Sequence, residues 1–293
     1  MQKKKQKKMK QNLTGYLFCG PFLILTAVFI IYPMCKGIYN SFFDFRFGEI
    51  SFVGFRNYLN ILSSPLYRRA IGNTLLMTFI VVPLLCVAGI LIAGSVFDKH
   101  PVYVSFVRIT LYLPVIASLV VMALIWRFML DSQTGLLRYF YNLAGQQPVN
   151  LLGEAKTALI LIIVFLFTVN IGQCVILYLA TMIGIPRDLI EAMKIDGGNR
   201  WDLFRYILIP FSSGVTLLNF VTQTAAVIRV FVATQLLTNG GPNHKTTTMM
   251  YLLYEEGFKN GNFGPASALG IILFLFSILL VFAQFKAIKK QDI

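Results

Sequence analysis

Six stretches of this chain are each long and apolar enough to cross a bilayer, and that constrains its fold more than any other feature. A helix needs about 20 apolar residues to span the hydrocarbon core. Six segments qualify: 13–33, 70–97, 103–130, 157–184, 211–238 and 264–286. Only helices or closed barrels satisfy every backbone polar group in lipid. Apolar runs of this length therefore predict an all-α, polytopic membrane protein with six transmembrane helices. The composition agrees, with 57% hydrophobic and only 13% charged residues. Pro83 and Pro114 fall inside the second and third runs. Neighbouring helices can satisfy the freed carbonyls, so bends rather than breaks are expected there.

The net charge of +14 would suggest nucleic acid in a soluble protein. Here the excess lies at the two ends and in the loops, where anionic lipid and the positive-inside rule account for it. No basic stripe is interleaved with exposed aromatics, which argues against nucleic-acid binding. Lys3, Lys4, Lys5, Lys7, Lys8 and Lys10 precede a first apolar stretch too long for a signal-peptide core. The expected layout is a basic cytoplasmic N-terminus at 1–12, a transmembrane permease domain at 13–286 and a short cytoplasmic tail at 287–293. Both termini are then cytoplasmic in a multi-pass protein of the plasma or inner membrane. That orientation assigns 15 Lys and Arg to the inside and ten to the outside or near the outer ends.

Cys19, Cys35, Cys86 and Cys174 are not paired at metal-ligand spacing and read as buried, inert thiols. His100 and His244 lie far apart. No metal site, nucleophilic triad or resident cofactor can be assembled from these residues, so the chain is not expected to be an enzyme. The segment Phe52, Phe55, Arg56, Asn57, Tyr58 and Leu59 reads equally well as an amphipathic interfacial helix or as a cap over the spans.

Between the fourth and fifth runs lies a polar island, 185–210. It contains Glu191-Ala192-Met193, then three residues, Gly197, nine residues, Ile207, one residue, and Ile209-Pro210. This resembles the coupling loop of ABC importer permeases, which reads Glu-Ala-Ala, three residues, Gly, nine residues, Ile, one residue, Leu-Pro. Met193 and Ile209 depart from that pattern but keep its apolar character. Phe52-Val53-Gly54-Phe55-Arg56-Asn57-Tyr58, Asn73-Thr74-Leu75, Leu237-Thr238-Asn239-Gly240-Gly241-Pro242 and Gly264-Pro265-Ala266-Ser267-Ala268-Leu269 are similar to further signatures of the binding-protein-dependent carbohydrate importers. The branch resembled is that of oligosaccharide and glycerol-phosphate permeases, and within it the larger permease of the maltose importer.

The resemblance implies a type I importer permease fold. It implies that 185–210 forms two short helices that couple to an ATPase through Glu191, Ala192, Asp196, Gly197, Gly198, Arg200 and Pro210. ATP and Mg belong to that separate ATPase, present in two copies. A second homologous permease, completing a heterodimer, and an extracellular solute-binding protein complete the assembly. The resemblance also places solute contacts in the fourth and fifth spans. The polar residues there are Thr168, Asn170 and Gln173, then Thr222, Gln223 and Arg229. An arginine in the middle of a span costs at least about 2.5 kcal/mol, so Arg229 must face a wet cavity or a partner. Its fork suits a carboxylate or phosphate, and an acid on the partner permease would serve equally. The expected solute is a saccharide, an oligosaccharide and an acidic one of uronic or sialic acid type. The alternative is a non-sugar solute such as glycerol phosphate, a peptide or an amino acid.

Overall fold

The computed structural model describes residues 18–45 and 50–288. The basic N-terminal segment, the first residues of the first span and the end of the tail fall outside them. Twelve helices are described. α1 spans Phe18–Asn40 and leads into a two-stranded antiparallel ribbon, β1 (Phe43–Asp44) with β2 (Ser51–Phe52), in which Phe43 faces Phe52. α2 is Arg56–Ser63, α3 is Pro65–Val96, α4 is Pro101–Ile116, α5 is Leu119–Met129, α6 is Leu136–Leu143 and α7 is Ala155–Ile183. α8 is Arg187–Ile195, α9 is Arg200–Phe211, α10 is Ser213–Val227, α11 is Met249–Tyr254 and α12 is Phe263–Ile288. Four of them are long and apolar enough to cross a membrane; the bent pairs α4/α5 and α9/α10 raise the number to six spans if each pair is one.

The centre of the bundle is the pairing of α3 with α7, flanked by α4 and α10. Both central helices are apolar on every side, and packing selects which side is buried. On α3 the buried residues recur at helical spacing, through Thr74, Met77, Val81, Leu85, Gly89, Ala93 and Val96. Met77, Val81, Leu85, Ala93 and Val96 meet Phe165, Val169, Cys174, Tyr178 and Met182 in one core cluster. The opposite side of α3 exposes Phe79, Ile80, Val87 and Leu91, as a lipid-facing surface requires. Gly172 allows the closest approach, since a Cβ there would sit 2.0 Å from the Leu111 carbonyl oxygen on α4.

Several expectations need correction. The first span runs to Asn40 rather than stopping at Pro33, because a π-helical turn at Ala27–Ile31 precedes the proline and accommodates its missing N–H. The third span is broken, not bent. α4 and α5 meet at 97° where Ala117 and Ser118 turn extended, three residues after Pro114. α3, by contrast, continues through Pro83. The fifth span does not run unbroken to 238. α10 ends at Val227, and only a π turn at Thr234–Thr238 follows before Asn239 takes the left-handed conformation. Thr222 and Arg229 therefore do not share a helix face. Cys86 and Cys174 are buried, but Cys19 and Cys35 are exposed on α1. α2 shows features of both readings of its segment, since Phe55 at its N-cap, Leu59 and Leu62 are exposed while its other side packs inward. Asn57 and Ile61 are buried, and the helix packs on α12 and α3.

Candidate functional site: a helical ledge and a broken fifth span

The 185–210 segment is a helix–turn–helix ledge at one end of the bundle. Pro186 fixes the start of α8, and Asp188 lies in its first turn. Ile190 and Met193 turn toward the core, so Glu191, Ala192 and Lys194 face outward. The two glycines do different work. Gly197 takes φ +81°, which L side chains avoid. Gly198 allows close approach, since a Cβ there would lie 2.8 Å from Cγ of Met193. Their amides donate to the carbonyls of Lys194 and Met193 and so close α8. Asp196 is the C-cap of the same helix.

α9 begins with a capping box. The Asn199 side chain accepts from the amides of Trp201 and Asp202, and the Asp202 carboxylate accepts from the amide of Asn199. The helix then loosens into a π turn, Leu203–Leu208, just before Pro210, whose ring cannot donate to the ladder.

Attachments that the sequence did not signal seat the ledge on the bundle. Nη2 of Arg200 donates to Oδ1 of Asp98 at 3.1 Å and to the Ser95 carbonyl at 3.2 Å. Trp201 stacks on Phe204 with ring centroids 5.8 Å apart, and Phe204 lies against Gly94, where a Cβ would come within 2.8 Å of its ring. Arg200 and Asp202 thus have partners within the chain. The other exposed charged side chains of the ledge are Arg187, Asp188, Glu191, Lys194, Asp196 and Arg205, beside exposed Ile195 (86%) and Trp201 (64%). A cavity of about 350 Å³ at the root of the ledge is lined by Asp98, Met182, Arg187, Ile190, Glu191 and Lys194, among others.

The remaining signature residues meet at the opposite end. Nδ2 of Asn73 donates to the carbonyls of Lys245 and Thr247, both at 2.9 Å, and Arg69 donates to Asn243. Oγ1 of Thr74 accepts from the amide of Met249. Thr246, Thr247 and Thr248 are fully buried and donate to the carbonyls of Gly241, Gly240 and Val230. Asn57 donates to the Ser41 and Phe43 carbonyls. Gly264 admits the Phe43 carbonyl, which a Cβ would meet at 2.0 Å. The loop after the fifth span is therefore pinned to the start of α3.

The polar residues of the fourth and fifth spans do not form one lining. Thr168, Asn170 and Gln173 are half-buried on α7. The first two donate back to their own helix, at the carbonyls of Phe165 and Leu166. Thr222 does the same with Leu218. Gln223 faces inward, 1% exposed, and its Oε1 has no partner. Arg229 is exposed just past the end of α10, and its Nε donates to the Ala225 carbonyl at 2.7 Å. It thereby satisfies a terminal carbonyl and places its charge at the negative end of the helix dipole. No acidic residue pairs with it among the described residues.

Residues 61–290 match the family described as "Binding-protein-dependent transport system inner membrane component". The chain is 31% identical over 269 residues to the probable ABC transporter permease protein PH1215 of Pyrococcus horikoshii, covering 90% of this chain and 92% of that one. It is 30% identical over 268 residues to the arabinooligosaccharides transport system permease protein AraP of Bacillus subtilis, covering 91% and 85%. Its fold matches a solved bacterial ABC transporter involved in the import of the acidic polysaccharide alginate, with a TM-score of 0.86, 22% identity and coverage of 98% and 99%. With a match over most of its length and the ledge in place between the fourth and fifth spans, the chain belongs to the binding-protein-dependent transport system inner membrane components, the permease subunits of ABC transporters.

Proposed function

We propose that this chain is one permease half of an ATP-driven saccharide importer whose solute is an oligosaccharide, and an acidic one. The observation that carries the coupling role is the ledge itself. It is a closed, doubly capped helical pair, fastened to α3 through Arg200 and Phe204, and its outer surface mixes charge with exposed apolar side chains. A rigid element of this kind transmits rigid-body motion between subunits. Hydrolysis, with ATP and Mg, belongs to the two ATPase subunits that dock there. Glu191, Ala192, Asp196, Gly197, Gly198, Arg200 and Pro210 build or present the ledge. A second permease completes the pathway, and a solute-binding protein docks at the opposite end, near the pinned 239–248 loop. The Lys-rich N-terminus and the ledge both lie on the cytoplasmic side.

The saccharide reading draws on the arabinooligosaccharide relative, and the acidic one on Arg229. Its guanidinium stands exposed at a break in the fifth span, with its terminal nitrogens available for a carboxylate. Thr168, Asn170, Gln173 and Thr222 are half-buried polar side chains along the same two spans, and Gln223 keeps an unpartnered Oε1 inside the bundle. A phosphate would fit the same fork, which keeps glycerol phosphate as the second reading.

The deciding experiment measures ATPase stimulation of the assembled complex in proteoliposomes, with its binding protein, across neutral saccharides, uronic-acid oligosaccharides and glycerol phosphate. Stimulation by the acidic saccharide that disappears in Arg229→Gln supports the proposal. Stimulation by neutral sugars alone, unchanged in Arg229→Gln, overturns the acidic reading. Stimulation by glycerol phosphate alone selects the second one.

A further inference from the structure

The connection between the third and fourth spans contains a short helix that no sequence motif marks. α6 reads Leu136-Leu137-Arg138-Tyr139-Phe140-Tyr141-Asn142-Leu143. Leu136, Tyr139, Phe140 and Leu143 are all exposed, Phe140 by 63% and Leu143 by 68%. Their spacing of i, i+3, i+4 and i+7 puts them on one stripe of the helix. Leu137 and Tyr141 are half-buried, and Arg138 and Asn142 are exposed on a third side. A helix of eight residues with four large apolar side chains in water would be costly, at about 1.5–3 kcal/mol for each large apolar residue left unburied.

The depth of α6 is set by its flanks. It follows the end of α5 at Met129 by one turn and precedes the start of α7 at Ala155. The turn is rigid. Asp131 accepts from the amides of Gln133 and Thr134 at 2.8 and 2.7 Å. A Cβ at Gly135 would lie 2.3 Å from the Phe128 carbonyl oxygen, so only glycine lets the turn fold back onto the last carbonyls of α5. α6 is thus held against the end of α5 and packs on it. α5 itself exposes the large apolar side chains Val121, Leu124, Ile125 and Phe128.

We infer that α6 is an interfacial anchor: its Leu136, Tyr139, Phe140 and Leu143 stripe lies in the headgroup–acyl boundary of the membrane, with Arg138 and Asn142 toward water. We assign the occupant as lipid because the chain is a membrane permease and α6 follows, by one turn, a helix of the broken third span that itself exposes a run of large apolar side chains. Its aromatic content, with a basic residue on the polar side, is that of interfacial helices. The inference rests on the chain spanning a membrane and is independent of the solute.

Nitroxide labels at Phe140→Cys and Asn142→Cys test it, in a background with Cys19, Cys35, Cys86 and Cys174 replaced by Ser. The full chain is reconstituted in lipid nanodiscs with the subunits that co-purify. Collision with oxygen is compared with collision with a water-soluble nickel chelate. The label at 140 should favour oxygen and the label at 142 nickel. A label at 140 as open to nickel as that at 142 would place the stripe in water and overturn the inference. Shielding of 140 from both reagents would make the stripe a protein interface and overturn it as well. Leu143→Cys, on the same stripe, replaces Phe140→Cys if the latter fails to elute as a monodisperse species.

Discussion

Nη2 of Arg200 lies 3.1 Å from Oδ1 of Asp98, joining the first residue of the ledge's second helix to the loop between α3 and α4. Both side chains are about half exposed, 56% and 45%, so the pair contributes little to stability; exposed pairs give about 0.2–1 kcal/mol. Its consequence is geometric, because Arg200 also holds the Ser95 carbonyl. Asp98→Asn should leave the unfolding midpoint nearly unchanged and lower solute transported per ATP hydrolysed several-fold. Paired uptake and ATPase measurements in proteoliposomes check this. An unchanged ratio would reduce the pair to a surface contact.

Gly172→Ala tests the contact between α7 and α4. Alanine is favoured over glycine inside a helix by about 1 kcal/mol, so propensity alone predicts stabilisation. The added Cβ would lie 2.0 Å from the Leu111 oxygen and 2.6 Å from its carbon. Those are backbone atoms and cannot rotate away. Overpacking of this kind costs about 1–3 kcal/mol, so the clash wins. The variant should unfold at a lower temperature in detergent and yield less complex. A midpoint at or above that of the parent would contradict the packing described.

Asn73 holds the 239–248 loop to the start of α3 through two 2.9 Å hydrogen bonds. Asn73→Ala removes both donors and leaves the Lys245 and Thr247 carbonyls without them. The expected loss is about 0.5–1.5 kcal/mol, since water can reach the freed carbonyls, with faster proteolysis within 239–248. Thermal unfolding and limited proteolysis of the purified protein report the two effects. Cleavage at the parental rate would show that the buried threonines hold the loop unaided.

The legible parts of this fold are those where one property repeats along the chain. The sequence bounds α3, α7 and α12 to within five residues, because each is a long apolar run. The ledge follows from the spacing of Glu191, Gly197 and Pro210. The breaks were not legible. Val227 to Ala233 is almost wholly apolar, so hydropathy reads through the point where α10 stops and puts Arg229 inside a helix that ends two residues before it. Pro114 marked a bend, but the chain turns at Ala117 and Ser118, which carry no turn signature. Gly94 against Phe204 and Asp98 against Arg200 were invisible for another reason: each pair is more than 100 residues apart in sequence, and only the packing of α3 with α9 joins them. α6 was missed because eight residues are too few for periodicity to stand out.

Asp131 provides a pH test of the turn that carries α6. The amide of Thr134, then that of Gln133, then the Thr134 hydroxyl hold its carboxyl below the usual carboxylate range. A group whose folded pKa is depressed stabilises above its unfolded pKa, about 3.9 for aspartate. That contribution is lost as pH falls through the lower, folded value. The turn should therefore be insensitive to pH across the neutral range and loosen only in acid below about pH 4. Asp131→Asn keeps an acceptor oxygen and should retain the turn at neutral pH without the acid transition. Asp131→Ala removes the acceptor and should raise amide exchange across 131–136 at every pH. Hydrogen-exchange mass spectrometry of the reconstituted protein reads all three cases. Equal protection in Asp131→Ala would mean that the close fit of Gly135 against Phe128 holds the turn without the carboxylate.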